Sequence, residues 1–157
     1  MRSKIDKILE SILSLLMALL VVDVVWQVLS RYVLYSPSSV TDEIATFLLI
    51  WVGLLGAAYC YGRGEHLAID IFIQSFNPQN KRRVAVVINM FVFAFALFVL
   101  IVGGGWLVYT RFYLGVTSAS LQLNMGYIYL VLPFSGVITL YYALNNILCV
   151  TKEPQEI

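Results

Sequence analysis

Chemistry-bearing side chains are scarce in this sequence, and their scarcity argues against most enzyme classes at the outset. The one histidine, His66, cannot form a bis-histidine haem site by itself, and no second His or neighbouring Cys accompanies it to hold zinc. The two cysteines, Cys60 and Cys149, lie on different apolar segments and form no Cys-x-x-Cys pair, which speaks against a thiol–disulfide relay. Charged residues are also few, at 12 % against 61 % hydrophobic, leaving too little polar surface for a water-soluble domain of 157 residues. A formal net charge of +1 gives no reason to expect nucleic acid as a partner. No nucleophile–base pair, phosphate-cradling loop or metal cluster is legible, so neither catalysis nor a cofactor is expected. No internal repeat suggests inverted halves.

What the chain has in abundance is long apolar runs. Four of them, 8–33, 44–61, 84–110 and 127–150, can span a hydrocarbon core of about 30 Å, which takes about 20 residues at ~1.5 Å each. The expected fold is all-α: an integral membrane protein with four transmembrane helices in a single domain covering 1–157. Arg2, Lys4 and Lys7 ahead of the first run resemble the start of a signal peptide. That run is longer than a signal h-region and no small-residue cleavage site closes it, so it reads as a retained first helix. Eight of the ten basic residues (Arg2, Lys4, Lys7, Arg63, Lys81, Arg82, Arg83 and Lys152) fall on one side of the predicted spans, and Arg31 and Arg111 on the other. The positive-inside rule then puts both termini and the 2–3 connection in the cytoplasm.

Asp23 is the only ionisable side chain deep inside a run. A charge at the bilayer centre costs roughly 2.5–3.5 kcal/mol on insertion scales, so such a group faces protein or a cavity. Counting from Ile8, it lies about 22 Å along the helix, in the outer half of the membrane. Gln27 and Arg31 follow at i+4 and i+8 and share its face. Three readings stay open: a stripe packed on the chain's own helices, a contact with another subunit, or a coupling carboxylate. Pro37 breaks the first helix, and Ser39-x-x-Asp42 fits a capping pattern. Asp42 and Glu43 then fall where the dipole of helix 2 favours negative charge, and either could also pair with Arg31.

Gly53, Gly56 and Ala57 place small residues three and four apart on helix 2, a pattern that permits close helix approach. Glycines 62 and 64 around Arg63 then end that helix. The stretch 67–74 is too short to span. Together with Arg63, His66 and the basic trio Lys81, Arg82 and Arg83, it reads as an interfacial segment resting on anionic headgroups of membrane phospholipids. Gly103-Gly104-Gly105 marks a kink or close packing in helix 3, and Pro133 predicts a bend in helix 4 by freeing the carbonyl of Tyr129. Tyr127, Tyr129, Tyr141 and Tyr142 fit an aromatic belt.

Several stretches, in order, resemble the small membrane subunit (DctQ type) of tripartite ATP-independent periplasmic (TRAP) transporters. They are Arg31-Tyr32 leading to Asp42-Glu43, then Trp51-Val52-Gly53-Leu54-Leu55-Gly56-Ala57-Ala58, and Arg63-Gly64-Glu65-His66-Leu67-Ala68-Ile69-Asp70. Gly115 through Ser118-Ala119-Ser120-Leu121 and Tyr127-Ile128-Tyr129-Leu130-Val131-Leu132-Pro133 follow. Val40 stands where the family pattern has a tryptophan shortly before Asp42-Glu43. The resemblance implies a fixed scaffold subunit in a bacterial inner membrane. Its partners would be a large multi-span elevator-type subunit driven by a sodium gradient and, transiently, a periplasmic binding protein that captures an organic acid such as sialic acid or a C4-dicarboxylate. The alternative is a small homodimeric proton-coupled multidrug exporter using Asp23, a class that the long 2–3 connection and the loop before helix 4 fit poorly.

Overall fold

The computed structural model describes residues 2–35, 38–64 and 78–152, with side chains for 3–35, 38–64 and 84–147. Helix α1 runs Arg2–Tyr32 and α2 Ser39–Arg63. Helix α3, Pro78–Phe95, passes into a π-helical segment, Ala96–Gly103, and continues as α4, Gly104–Tyr113. A loop leads to the short α5, Met125–Tyr129, and to α6, Val131–Lys152. Among the described residues, four helical stretches are long and apolar enough to cross a membrane: Ser3–Tyr32, Ser39–Arg63, Val84–Tyr113 and Met125–Ile147, here spans 1 to 4. The expected all-α membrane fold is therefore the observed one.

Each helical boundary has a local cause. Proline at the first position of α3 loses nothing, since a first-turn N–H has no intrahelical acceptor. The helix consequently starts early enough to include Lys81, Arg82 and Arg83, which the sequence pattern places in a connection. Gly62 does not end α2; Gly64 does, in the left-handed conformation at φ 71°, with its N–H bonded to the carbonyls of Cys60 and Tyr61. Span 4 is interrupted at Leu130, three residues before Pro133, whose missing N–H predicts a bend there. In span 3 the departure from regular helix is the π segment, which ends at Gly103, the first of the three glycines, and in which Ala96 and Leu100 are buried while Phe98 and Val102 face outward.

Packing runs from α1 to α2, from α2 to α6, and from α6 to α3 and the π segment. The spans thus stand in a row, in the order 1–2–4–3. Span 4 is the most buried, and spans 1 and 3, at the ends of the row, are the least. The contact between spans 3 and 4 depends on missing side chains. A methyl group on Gly104 would lie 2.8 Å from Leu132 Cβ, and one on Gly136 would lie 2.8 Å from Leu100 Cβ. Two glycines facing opposite ways bring these backbones together.

The core gathers Leu9, Leu55, Tyr61, Val131, Tyr142 and Ala143. At the end of the molecule that holds both termini, two hydrogen bonds cross the row diagonally. Tyr142 donates its hydroxyl proton to Asp6 Oδ1, tying α6 to α1, and Tyr61 donates to Asn89 Oδ1, tying α2 to α3. Tyr142 is fully buried, so it is a core residue and not a member of an interfacial belt. Tyr127, by contrast, is well exposed.

Candidate functional site

At the opposite end, where the loops lie, the polar residues of spans 1 and 2 converge into a seam. Helical periodicity puts Asp23, Gln27 and Arg31 on one face of α1, and that face meets the first turns of α2. Gln27 Nε2 donates to Asp23 Oδ2 at 2.8 Å and to the Thr41 carbonyl at 3.0 Å, so a single amide joins the two helices. Buried Ser30 donates to the Gln27 carbonyl at 3.0 Å from the next turn. One turn beyond Gln27, Arg31 Nη2 lies 3.7 Å from Asp42 Oδ1. Both side chains of that pair are half exposed, which limits it to about 0–1 kcal/mol.

Glu43 goes elsewhere. One residue further round α2, it points away from Arg31 and toward the loop that precedes span 4. Its Oε1 accepts the Ser120 N–H at 2.8 Å and its Oε2 the Leu121 N–H at 3.0 Å. Hydrogen bonds to a charged acceptor are roughly twice as strong as neutral ones, so this carboxylate serves as the loop's anchor. The loop also closes on itself, through Ser118 N–H to the Leu123 carbonyl at 2.8 Å and Met125 N–H to the Val116 carbonyl at 2.9 Å. Gly115 and Gln122 supply its positive-φ turns.

Five residues expected to form a polar network, Asp23, Gln27, Arg31, Asp42 and Glu43, therefore do lie at one end of the molecule. They form two connected pairs and a separate clamp, and not one ion-pair cluster. The capping pattern is displaced as well. Ser38 is the residue preceding α2 and makes no side-chain cap bond, while Thr41 Oγ1 donates back to the Ser38 carbonyl at 2.9 Å. Among the small residues of α2, a methyl group added to Gly53 would meet nothing within 4 Å, and Ala57 is exposed. Gly56 makes only an ordinary 3.9 Å contact with Leu13. Within this chain Gly53 and Ala57 turn away from the neighbours of α2, and Gly56 faces α1 without an unusually close approach. Arg63 stacks over Tyr59 at 5.7 Å and donates to its hydroxyl at 2.9 Å. His66, the stretch 67–74 and the side chains of Lys81, Arg82 and Arg83 lie outside the described residues.

Asp6 as the partner of Tyr142 is not foreshadowed by any sequence motif, since 136 residues separate them. The one usable signal is depth, as both fall near the terminal end of antiparallel spans. Among the described residues, no three His, Cys, Asp or Glu side chains gather as a metal site. Asp23 lines an apolar groove of about 420 Å³ between α1 and α2, with Leu19, Val22, Trp26, Ile44 and Leu48. Such an arrangement suits the burial of one carboxylate against protein better than the passage of a solute.

The family model for the DctQ component of tripartite ATP-independent periplasmic transporters matches residues 9–153. The chain belongs to this DctQ family. A small TRAP permease protein of Haemophilus influenzae is 27 % identical over 103 residues, covering 66 % of this chain and 63 % of that one. The sialic acid TRAP small permease protein SiaQ of Vibrio cholerae is 32 % identical over 90 residues, 57 % of this chain and 51 % of that one. A stretch of 57 residues, 36 % of this chain, is 37 % identical to 9 % of SiaT, a sialic acid TRAP permease protein of Haemophilus influenzae. The alignments thus span between a tenth and two thirds of these relatives. A DctQ-family chain with four helices long and apolar enough to cross a membrane is a multi-pass membrane protein. The drug-exporter alternative finds no support among these relatives.

Proposed function

We propose that this DctQ-family subunit is a static scaffold that holds a large, elevator-type TRAP subunit in a bacterial inner membrane. In this reading the large subunit carries the sodium and substrate sites, and a periplasmic binding protein delivers an organic acid to the loop end. The observation that carries the proposal is how the polar groups near the membrane are used. Gln27 occupies Asp23, Glu43 anchors a loop, and Asp6 receives Tyr142, so each of these carboxylates is committed to holding the fold together. The ends of the row, meanwhile, are broadly apolar: Val21, Val22, Val25 and Val28 on span 1, and Phe91, Phe95, Phe98 and Val102 on span 3, are all exposed. Such faces suit lipid or another membrane subunit.

Relatives named for sialic acid and for C4-dicarboxylates, the latter in Rhodobacter capsulatus, support a carboxylate substrate. The stretch shared with the far longer SiaT supports work alongside a large permease. The excess of basic residues near the termini supports placing that end in the cytoplasm. Affinity purification of the tagged chain from its own host tests the proposal. A large multi-span membrane protein should co-purify in equal amount; a homodimer of this chain alone would refute it.

A further inference from the structure

The span-3 end of the row carries a second groove, separate from the seam. Val99, Gly103, Leu107 and Leu132 line it, with Trp106 and Arg111 toward the loop end, and its volume is about 580 Å³. That falls within the roughly 300–1,000 Å³ typical of ligand-holding clefts. Its floor is open at Gly103, where an added methyl would meet nothing closer than the Phe98 carbonyl oxygen at 3.5 Å. From Val99 to Arg111 the groove covers roughly 18 Å at ~1.5 Å per residue, close to the ~15 Å depth of one leaflet's hydrocarbon.

Polarity is graded along that length, from aliphatic walls to an indole and then a guanidinium. Among the described residues Arg111 has no carboxylate within ion-pair reach. Its Nε is occluded and has no hydrogen-bond partner, and its guanidinium carbon lies 5.8 Å from the Tyr129 ring centre. A cation at the loop end of a largely apolar channel one leaflet deep matches a phosphate joined to an acyl chain. Trp106, on the groove wall, is well exposed, so an acyl chain can lie against its indole.

We infer that this groove holds one anionic phospholipid, with its phosphate on Arg111 and one acyl chain laid along the helix toward Val99. Trp106 is a built-in reporter. In the full chain carrying Trp26→Phe and Trp51→Phe, Trp106 is the single tryptophan, and excitation at the red edge of indole absorption leaves the tyrosines dark. Phosphatidylcholine nanodiscs would be doped with lipid brominated on its acyl chains, which quenches on contact. Brominated phosphatidylglycerol should quench at about a fivefold lower mole fraction than brominated phosphatidylcholine, the factor expected of one interfacial arginine. Arg111→Gln should abolish the preference, and so should Gly103→Leu, which fills the floor and keeps the charge. Native mass spectrometry of the unsubstituted chain, comparing retained phosphatidylglycerol with phosphatidylcholine, gives the same comparison without the tryptophan changes.

Equal quenching by the two lipids, or a preference that survives Arg111→Gln, would overturn the inference. So would loss of the preference on adding millimolar inorganic phosphate, which would mark a site for free anions. Loss of the preference after assembly with the large subunit would likewise overturn it, by assigning Arg111 to a protein partner.

Discussion

At position 43 a carboxylate takes two backbone N–H groups from a loop 77 and 78 residues downstream, joining that loop to α2. Glutamine there keeps one acceptor oxygen but turns an NH₂ toward the second N–H donor. Glu43→Gln should therefore loosen the loop and speed hydrogen exchange at Ser120 and Leu121. Unchanged protection of those two amides would contradict the clamp. Arg31→Glu, which sets like charges beside Asp42, should lower the yield of the assembled transporter; unchanged yield and melting would count against the pair. The Asp23–Gln27 bond is legible in the sequence, because helical periodicity fixes which residues share a face. The partners of Glu43 are not, since loop amides leave no local pattern. Arg31 has two carboxylates within reach in the sequence, and only the rotation of α2 decides between them.

Helix existence is readable from apolar length alone, whereas the surfaces by which the helices meet are not. Small residues on α2 advertise close approach, yet Gly53 opens onto empty space, and the tight contacts fall at Gly104 and Gly136. A glycine reveals that a contact is possible but not which neighbour lies opposite. The two sites make opposite predictions. Gly136→Val forces span 4 off Leu100 and Ile101 and should destabilise the chain by roughly 1–3 kcal/mol or more, seen as a lower melting temperature in detergent. Gly53→Val should leave melting of the isolated chain within about 0.5 kcal/mol of wild type, as expected for a surface position. If Gly53→Val melts early while Gly136→Val does not, the described packing of α2 and α6 is wrong.

Taken whole, the molecule is a row of four spans, joined at one end by the Asp6–Tyr142 and Tyr61–Asn89 bonds and at the other by the Gln27 bridge and the Glu43 clamp. Its outermost spans bury little against the rest of the chain, the expected shape of a subunit that adds area to a partner. Asp23 is the residue on which the scaffold reading turns, being the one acid deep in a span and the natural candidate for ion coupling. Asparagine can still accept from Gln27 but cannot carry charge. The decisive measurement is sodium-driven substrate uptake by proteoliposomes that hold the Asp23→Asn chain assembled with its large subunit. A scaffold retains most of the wild-type rate; loss of uptake by an intact complex, with normal amounts of the large subunit, would make Asp23 a coupling residue and contradict the account.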